Sequence, residues 1–223
     1  MCTKTVTKPK AILFDLDGTL LDTAKDLGET LNLILKKLDL PAVSYDDYRP
    51  VASHGAMGLL KLGLGDNIKA YDIEILRKEF LSTYQANINL HTRFFDGMRE
   101  CLKQLQQDQL RWGVVTNKPE FLTTQLLAHY PEFSLSGANI SGDTLPVRKP
   151  DPAPLTHACK LMDIDAKDCW YIGDAQRDIE AGNRAGMTTL VANWGYTYDP
   201  IPVSEWQADY IIEHPLEIID KYK

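Results

Sequence analysis

Short apolar runs and longer helical stretches alternate along this chain. Ala11 to Phe14, Trp112 to Val115, Ala138 to Ser141, Trp170 to Ile172, Thr189 to Val191 and Tyr210 to Ile212 form the apolar runs, which predict buried strands. Strands separated by helices of about 10 to 15 residues predict an α/β fold with a parallel sheet covered on both faces. In such open sheets ligands bind outside the carboxyl ends of the strands. Asp15, Thr116 and Asp174 each stand at or just past a predicted strand end and are therefore expected on one rim.

One region breaks the alternation. From about residue 21 to 89 no strand is predicted, and apolar residues recur at helical spacing: Leu27, Leu31, Ile34, Leu35 and Leu38, then Ile73, Leu76, Phe80 and Tyr84. Pro41, Gly55, Gly58, Gly63 and Gly65 punctuate the helices. A stretch of about 65 residues is too long for one crossover. It predicts a helical insertion, large enough to lie over the rim as a lid.

Composition narrows the partners. With 223 residues, 44% hydrophobic and 25% charged, the chain has the make-up of an ordinary globular protein, one domain or one domain with an insertion. A formal net charge of -7 argues against nucleic acid and against an acidic membrane surface. The cysteines Cys2, Cys101, Cys159 and Cys169 show no CxxC spacing, so neither a zinc site nor a disulfide framework is expected. Residues 1–10 are polar and basic, but the apolar run after them has only four residues, short of the about 7 to 15 of a signal peptide. A cytoplasmic location is expected. Gly63 and Gly65 lack the third glycine of a dinucleotide motif and follow no strand, and no GxxxxGK[ST] occurs.

The first strand runs into Asp15-Leu16-Asp17-Gly18-Thr19. Alternate side chains of a strand point the same way, so the two carboxylates face one small space. Like charges that close raise each other's proton affinity unless a cation or shared proton intervenes, which implies a metal, acid/base work, or both. Gly18 lets the chain turn, and Thr19 offers a hydroxyl and an amide to a phosphate.

Three further elements follow: Val114-Val115-Thr116-Asn117-Lys118, Arg148-Lys149-Pro150-Asp151-Pro152, and Ile172-Gly173-Asp174-Ala175-Gln176-Arg177-Asp178. Each has an ordinary structural counterpart. Thr116 serves as well in capping a turn, Lys149 as a solvated loop lysine, and Asp174 and Asp178 as helix caps. Their joint occurrence in this order at strand ends points to one site.

In these four elements the sequence resembles the haloacid dehalogenase superfamily of phosphotransferases, across essentially the whole chain. The resemblance implies a doubly wound sheet with an inserted helical cap, residues 1–20 and 90–223 being the core and residues 21–89 the cap. It implies Asp15 as nucleophile, Asp17 as general acid/base, Thr116 as phosphoryl ligand and Lys149 as the neutralising cation. Asp174 would hold Mg²⁺ together with Asp15 and the Asp17 carbonyl, and Asp178 would support the metal from behind. The residue types suit that chemistry: a carboxylate nucleophile divides a slow displacement into two easier ones, and a neighbouring carboxyl moves the protons. Mg²⁺ favours oxygen ligands. Members that cleave carbon-halogen bonds lack the second aspartate, so Asp17 favours phosphate esters.

Substrate choice falls to the cap. Within Arg49-Pro50-Val51-Ala52-Ser53-His54-Gly55-Ala56, Arg49 is a candidate partner for a substrate carboxylate, and Ser53 and His54 are candidates for hydroxyls. Their structural counterparts are a surface charge and a helix cap. Thr19 and Asn117 are the further candidate substrate ligands. The pattern is similar to the phosphoglycolate phosphatase branch, and more to its N-acetylmuramic acid 6-phosphate phosphatases of peptidoglycan recycling. Ala175 stands where phosphoglycolate phosphatases commonly have Ser or Thr, and Ser53 where they often have Gly. Alternatives are phosphoglycolate phosphatase proper, a sugar phosphomutase using the same nucleophile, and, from another class, a receiver domain. Receivers are about half this length, lack a helical lid and accumulate their phosphoaspartate.

Overall fold

A computed structural model describes residues 8–197 and 199–223. Cys2 and most of the basic N-terminal stretch lie outside the described residues.

All six predicted strands are present: β1 (Ala11–Phe14), β4 (Arg111–Val115), β5 (Asn139–Ile140), β6 (Cys169–Gly173), β7 (Thr188–Ala192) and β8 (Tyr210–Ile212). They form one parallel sheet in the order β5-β4-β1-β6-β7-β8. The side chains of β1 show why its sequence is apolar throughout. Ile12 and Phe14 join a core with α5 (Met98–Gln107), α6 (Glu120–Leu127) and α9 (Glu217–Tyr222), whereas Ala11 and Leu13 join another with α7 (Ala153–Leu161) and Ala181 of α8 (Gln176–Ala185). A strand covered on both faces has no position for a polar side chain until it ends. At that end Asp15 appears.

The helical stretch holds α1 (Ala24–Lys37), α2 (Tyr45–Tyr48), a 3-10 turn (Arg49–His54), α3 (Gly55–Leu64), a second 3-10 turn (Gly65–Ala70) and α4 (Ile73–Ala86). Leu27, Leu31, Ile34 and Leu35 of α1 are buried, as are Leu76, Phe80 and Tyr84 of α4, as the helical spacing predicts.

Two expectations need correction. Leu21–Asp22 is a short strand, β2, paired antiparallel with β3 (Arg93–Phe94), so a two-stranded ribbon brackets the helices. Gly58 and Gly63 do not interrupt the helices but lie inside α3. A Cβ on Gly63 would stand 2.9 Å from Cδ1 of both Leu31 and Leu35, so its absence lets α3 approach α1 closely. Gly55 and Gly65 bound α3 with positive φ.

Candidate active site

Asp15, Thr116 and Asp174 directly follow β1, β4 and β6, adjacent strands at the centre of the sheet. Their carboxyl ends form the floor of a cavity of about 390 Å³, to which Asp15, Asp17, Thr116, Lys118 and Lys149 contribute. The roof comes from Ala52 to Met57 and from Arg77, Phe80, Leu81 and Tyr84 of α4.

Lys149 is the hub of the floor. Its ammonium donates to Val115 O at 2.8 Å and to the Tyr171 hydroxyl at 2.7 Å, and pairs with Asp178 at 2.8 Å and Asp15 Oδ1 at 2.9 Å. Tyr171 in turn donates to Val115 O at 2.9 Å. Burial and the neighbouring carboxylates hold the Tyr171 phenol well above its ordinary pKa, so it stays a neutral donor. Asn117 fixes the lysine's backbone from both sides, accepting from Lys149 N at 3.1 Å and donating to Lys149 O at 2.9 Å.

Burial raises the Asp15 pKa, the Lys149 charge opposes that shift, and Asp178 adds to it. Although ion-paired, Asp15 Oδ1 accepts no aligned hydrogen bond and is buried. Asp174 is fully buried and pushed up to about 7, by desolvation first and then by Asp15 and Asp178. Ligand oxygens of Asp15, Asp174 and Asp178 all lie within 4.8 Å of one another. An orphaned oxygen among three mutually repelling carboxylates fits a hard divalent cation, which would replace protons as the neutralising charge.

Asp17 is held by a separate set of partners. Its Oδ1 accepts from Thr23 Oγ1 at 2.7 Å and from Lys118 Nζ at 2.9 Å. Lys118 also donates to Tyr84 OH at 3.0 Å, with its ammonium 4.4 Å from the ring centroid. Burial opposes the Lys118 charge, but Asp17 and Tyr84 outweigh it and hold its pKa above the ordinary lysine value. Thr116 Oγ1 accepts from Lys118 N at 3.2 Å, which leaves its proton to donate into the cavity.

The remaining predicted residues fall in three places. Ser53 and His54 line the cavity, but Ser53 Oγ donates to Asp174 Oδ2 at 2.6 Å, and His54 Nε2 lies 3.7 Å from Asp199. Thr19 does not face the cavity: fully buried behind it, its hydroxyl donates to Asp174 at 3.3 Å. Arg49 is likewise drawn away, donating to the carbonyls of Trp194 and Gly195 and covering the Tyr196 ring. Asp178 Oδ2 accepts from Ala175 N at 3.1 Å, so it caps its helix as well as pairing with Lys149.

Sequence patterns did not single out Lys118, Tyr171, Arg177 or Tyr196. Tyr196 N donates to Asp174 at 2.8 Å, while its hydroxyl donates to Asp22 and accepts from Thr23 N and Ala24 N. Lys118 and Arg177 carry a local signal, since each stands inside one of the four motifs, whereas Tyr171 and Tyr196 have none.

The chain belongs to the haloacid dehalogenase-like hydrolases, whose family model matches residues 12–192, from β1 to the end of β7. It is a phosphoric monoester hydrolase of that family. A phosphoglycolate phosphatase of Xanthomonas campestris pv. campestris strain 8004 is 41% identical over 211 residues, covering 94% of this chain and 95% of the relative. An N-acetylmuramic acid 6-phosphate phosphatase of Pseudomonas putida is 38% identical, with 94% of each chain covered. The crystal structure of a predicted phosphoglycolate phosphatase from Haemophilus somnus 129PT superposes with a TM-score of 0.87 at 28% identity, covering 98% of this chain and all of that one.

Proposed function

We propose that this chain is a Mg²⁺-dependent phosphatase that works through an aspartyl-phosphate on Asp15, with N-acetylmuramic acid 6-phosphate as substrate. The observation that carries the mechanism is Asp15 itself, on the cavity floor with Oδ1 unsatisfied and Lys149 beside it. Asp15 attacks phosphorus, the ester bond breaks, and the departing alkoxide takes a proton from Asp17. Asp17 then deprotonates a water that attacks the acyl phosphate, freeing phosphate and regenerating Asp15. The Thr116 hydroxyl and Lys149 meet charge on the phosphoryl oxygens. Asp15 and Asp174 would hold the cation with the Asp17 carbonyl, supported by Asp178, and when bound it supplies positive charge to the transferring group.

Residues 21–89 form the cap in this reading, over a core of residues 1–20 and 90–223. Cavity size favours the amino sugar: about 390 Å³ lies within the roughly 300–1,000 Å³ of sites for drug-sized ligands, much more than phosphoglycolate fills. Met57, Phe80 and Leu81 supply the apolar wall that an acetamido sugar would use. Relatives of both names keep phosphoglycolate as the second reading. No helix among the described residues is long and apolar enough to cross a membrane.

Steady-state kinetics on both substrates and on hexose phosphates, with Asp15→Asn as control, test the proposal. Phosphate release should be fastest from N-acetylmuramic acid 6-phosphate and absent in Asp15→Asn. Preference for phosphoglycolate by a factor of about a hundred or more would reverse the substrate assignment. Isomerised hexose phosphate in place of free phosphate would mean a mutase.

A further inference from the structure

In a protein of net charge -7, this cavity is lined by five Lys or Arg side chains against two carboxylates. Three of the cations have a counterpart. Lys149 pairs with Asp15 and Asp178, and Lys118 pairs with Asp17. Arg177 donates to Ser53 O at 2.6 Å, and the charges of Asp178 and Asp15 face it. Arg77 and Arg148 remain. Arg77 projects from α4 in the roof, half-buried, and among the described residues its one ion pair is a loose 3.9 Å contact with the exposed Glu74 of its own helix. Arg148 is exposed on the loop directly before Lys149. Among the described residues no acidic side chain lines the roof.

A phosphate monoester dianion is met by Lys149, Thr116 and the cation site on the floor. Two guanidiniums on the wall of the same cavity, away from that floor, are therefore surplus to phosphate recognition and free to meet a second anion. We propose that Arg77 and Arg148 recognise a second anionic group on the substrate, a carboxylate at the end remote from the phosphate, and that Arg77 thereby sets specificity. The contact expected of Arg49 from the sequence passes to Arg77, since Arg49 is engaged by the carbonyls of Trp194 and Gly195. The substrate class is a sugar acid phosphate, its body against Met57 and Phe80. This inference rests on the phosphatase reading above.

The experiment compares kcat/KM for N-acetylmuramic acid 6-phosphate and for N-acetylglucosamine 6-phosphate, which lacks the carboxylate, in wild type, Arg77→Met, Arg77→Lys and Arg148→Met. Wild type should favour the acidic sugar by about tenfold or more, and Arg77→Met should abolish most of that ratio through KM. Arg77→Lys should retain part of it, because the charge survives without the bidentate fork. If Arg77→Met does not fold, Arg148→Met, altering an exposed loop residue, should still lower the ratio. A wild type indifferent to the carboxylate would overturn the inference. So would a ratio unchanged in every variant. Release of phosphate from neither sugar, while phosphoglycolate or a hexose phosphate is hydrolysed with Mg²⁺ present, would overturn the amino-sugar assignment and this inference with it, whereas release from no phosphate ester at all would overturn the aspartyl-phosphate mechanism.

Discussion

Ser53 Oγ donates to Asp174 Oδ2 at 2.6 Å, so a side chain of the helical roof touches a carboxylate proposed to hold the metal. The contact lowers the proton affinity of Asp174 against the upward pull of burial. Ser53→Ala should therefore favour protonated Asp174 and weaken cation binding. Hydrogen bonds to charged groups contribute about 1.5–3 kcal/mol, so the Mg²⁺ concentration for half-maximal activity should rise by about tenfold. A Mg²⁺ activation curve for each protein checks it.

Metal removal should change how stability depends on pH. Asp174 lies at about 7 in the folded chain and Asp15 is also raised, both by burial first. Between the unfolded carboxylate value near 4 and about 7, the folded state binds more protons than the unfolded one. Stability is then fully present below the unfolded pKa and is lost as pH rises through the folded one. In EDTA the melting temperature should fall from pH 5.5 to pH 8, and saturating Mg²⁺ should remove most of that slope. Asp108 and Asp168, whose pKa values are lowered, titrate below this window and do not mask it.

Lys149→Met should be the most damaging single change on the floor. It strands two buried carboxylates, Asp15 and Asp178, and breaking a buried pair costs about 3–5 kcal/mol. Urea unfolding should show that loss, together with loss of turnover. Lys149→Arg should not rescue, because a planar fork cannot replace an ammonium enclosed by Val115 O, Tyr171 and two carboxylates.

Tyr196→Phe should loosen the junction between sheet and helices. The Tyr196 hydroxyl accepts from Thr23 N at 2.7 Å and Ala24 N at 2.9 Å, at the start of α1. Two buried amides without an acceptor cost about 1–3 kcal/mol each. Hydrogen exchange at those amides should speed up by about tenfold or more, with the sheet amides unaffected.

What was legible in the sequence was local. β1 and β6 are continuous apolar runs, and the Asp15-to-Thr19 motif sits at the end of β1, so pattern and position agree. β2 and β3 have two residues each, too few to show an alternation. Gly63 reads as a break because its reason for being small lies on α1, at Leu31 and Leu35, and Gly58 because its own lies in the turn before α3, at His54. Arg49 and Thr19 have suitable functional groups, but their partners are more than a hundred residues away in the chain. Tyr171 reads as an ordinary apolar strand residue until Lys149 is placed beside its hydroxyl.

The roof of the cavity is one continuous stretch of chain, while the floor is gathered from separate strand ends. Inheritance can therefore edit the two independently: drift within the stretch changes which molecule is admitted and leaves the reaction alone. That freedom has limits at Ser53 and Tyr84, which reach down to Asp174 and Lys118. At those two positions a lineage adopting a new substrate would have to alter its catalytic floor as well.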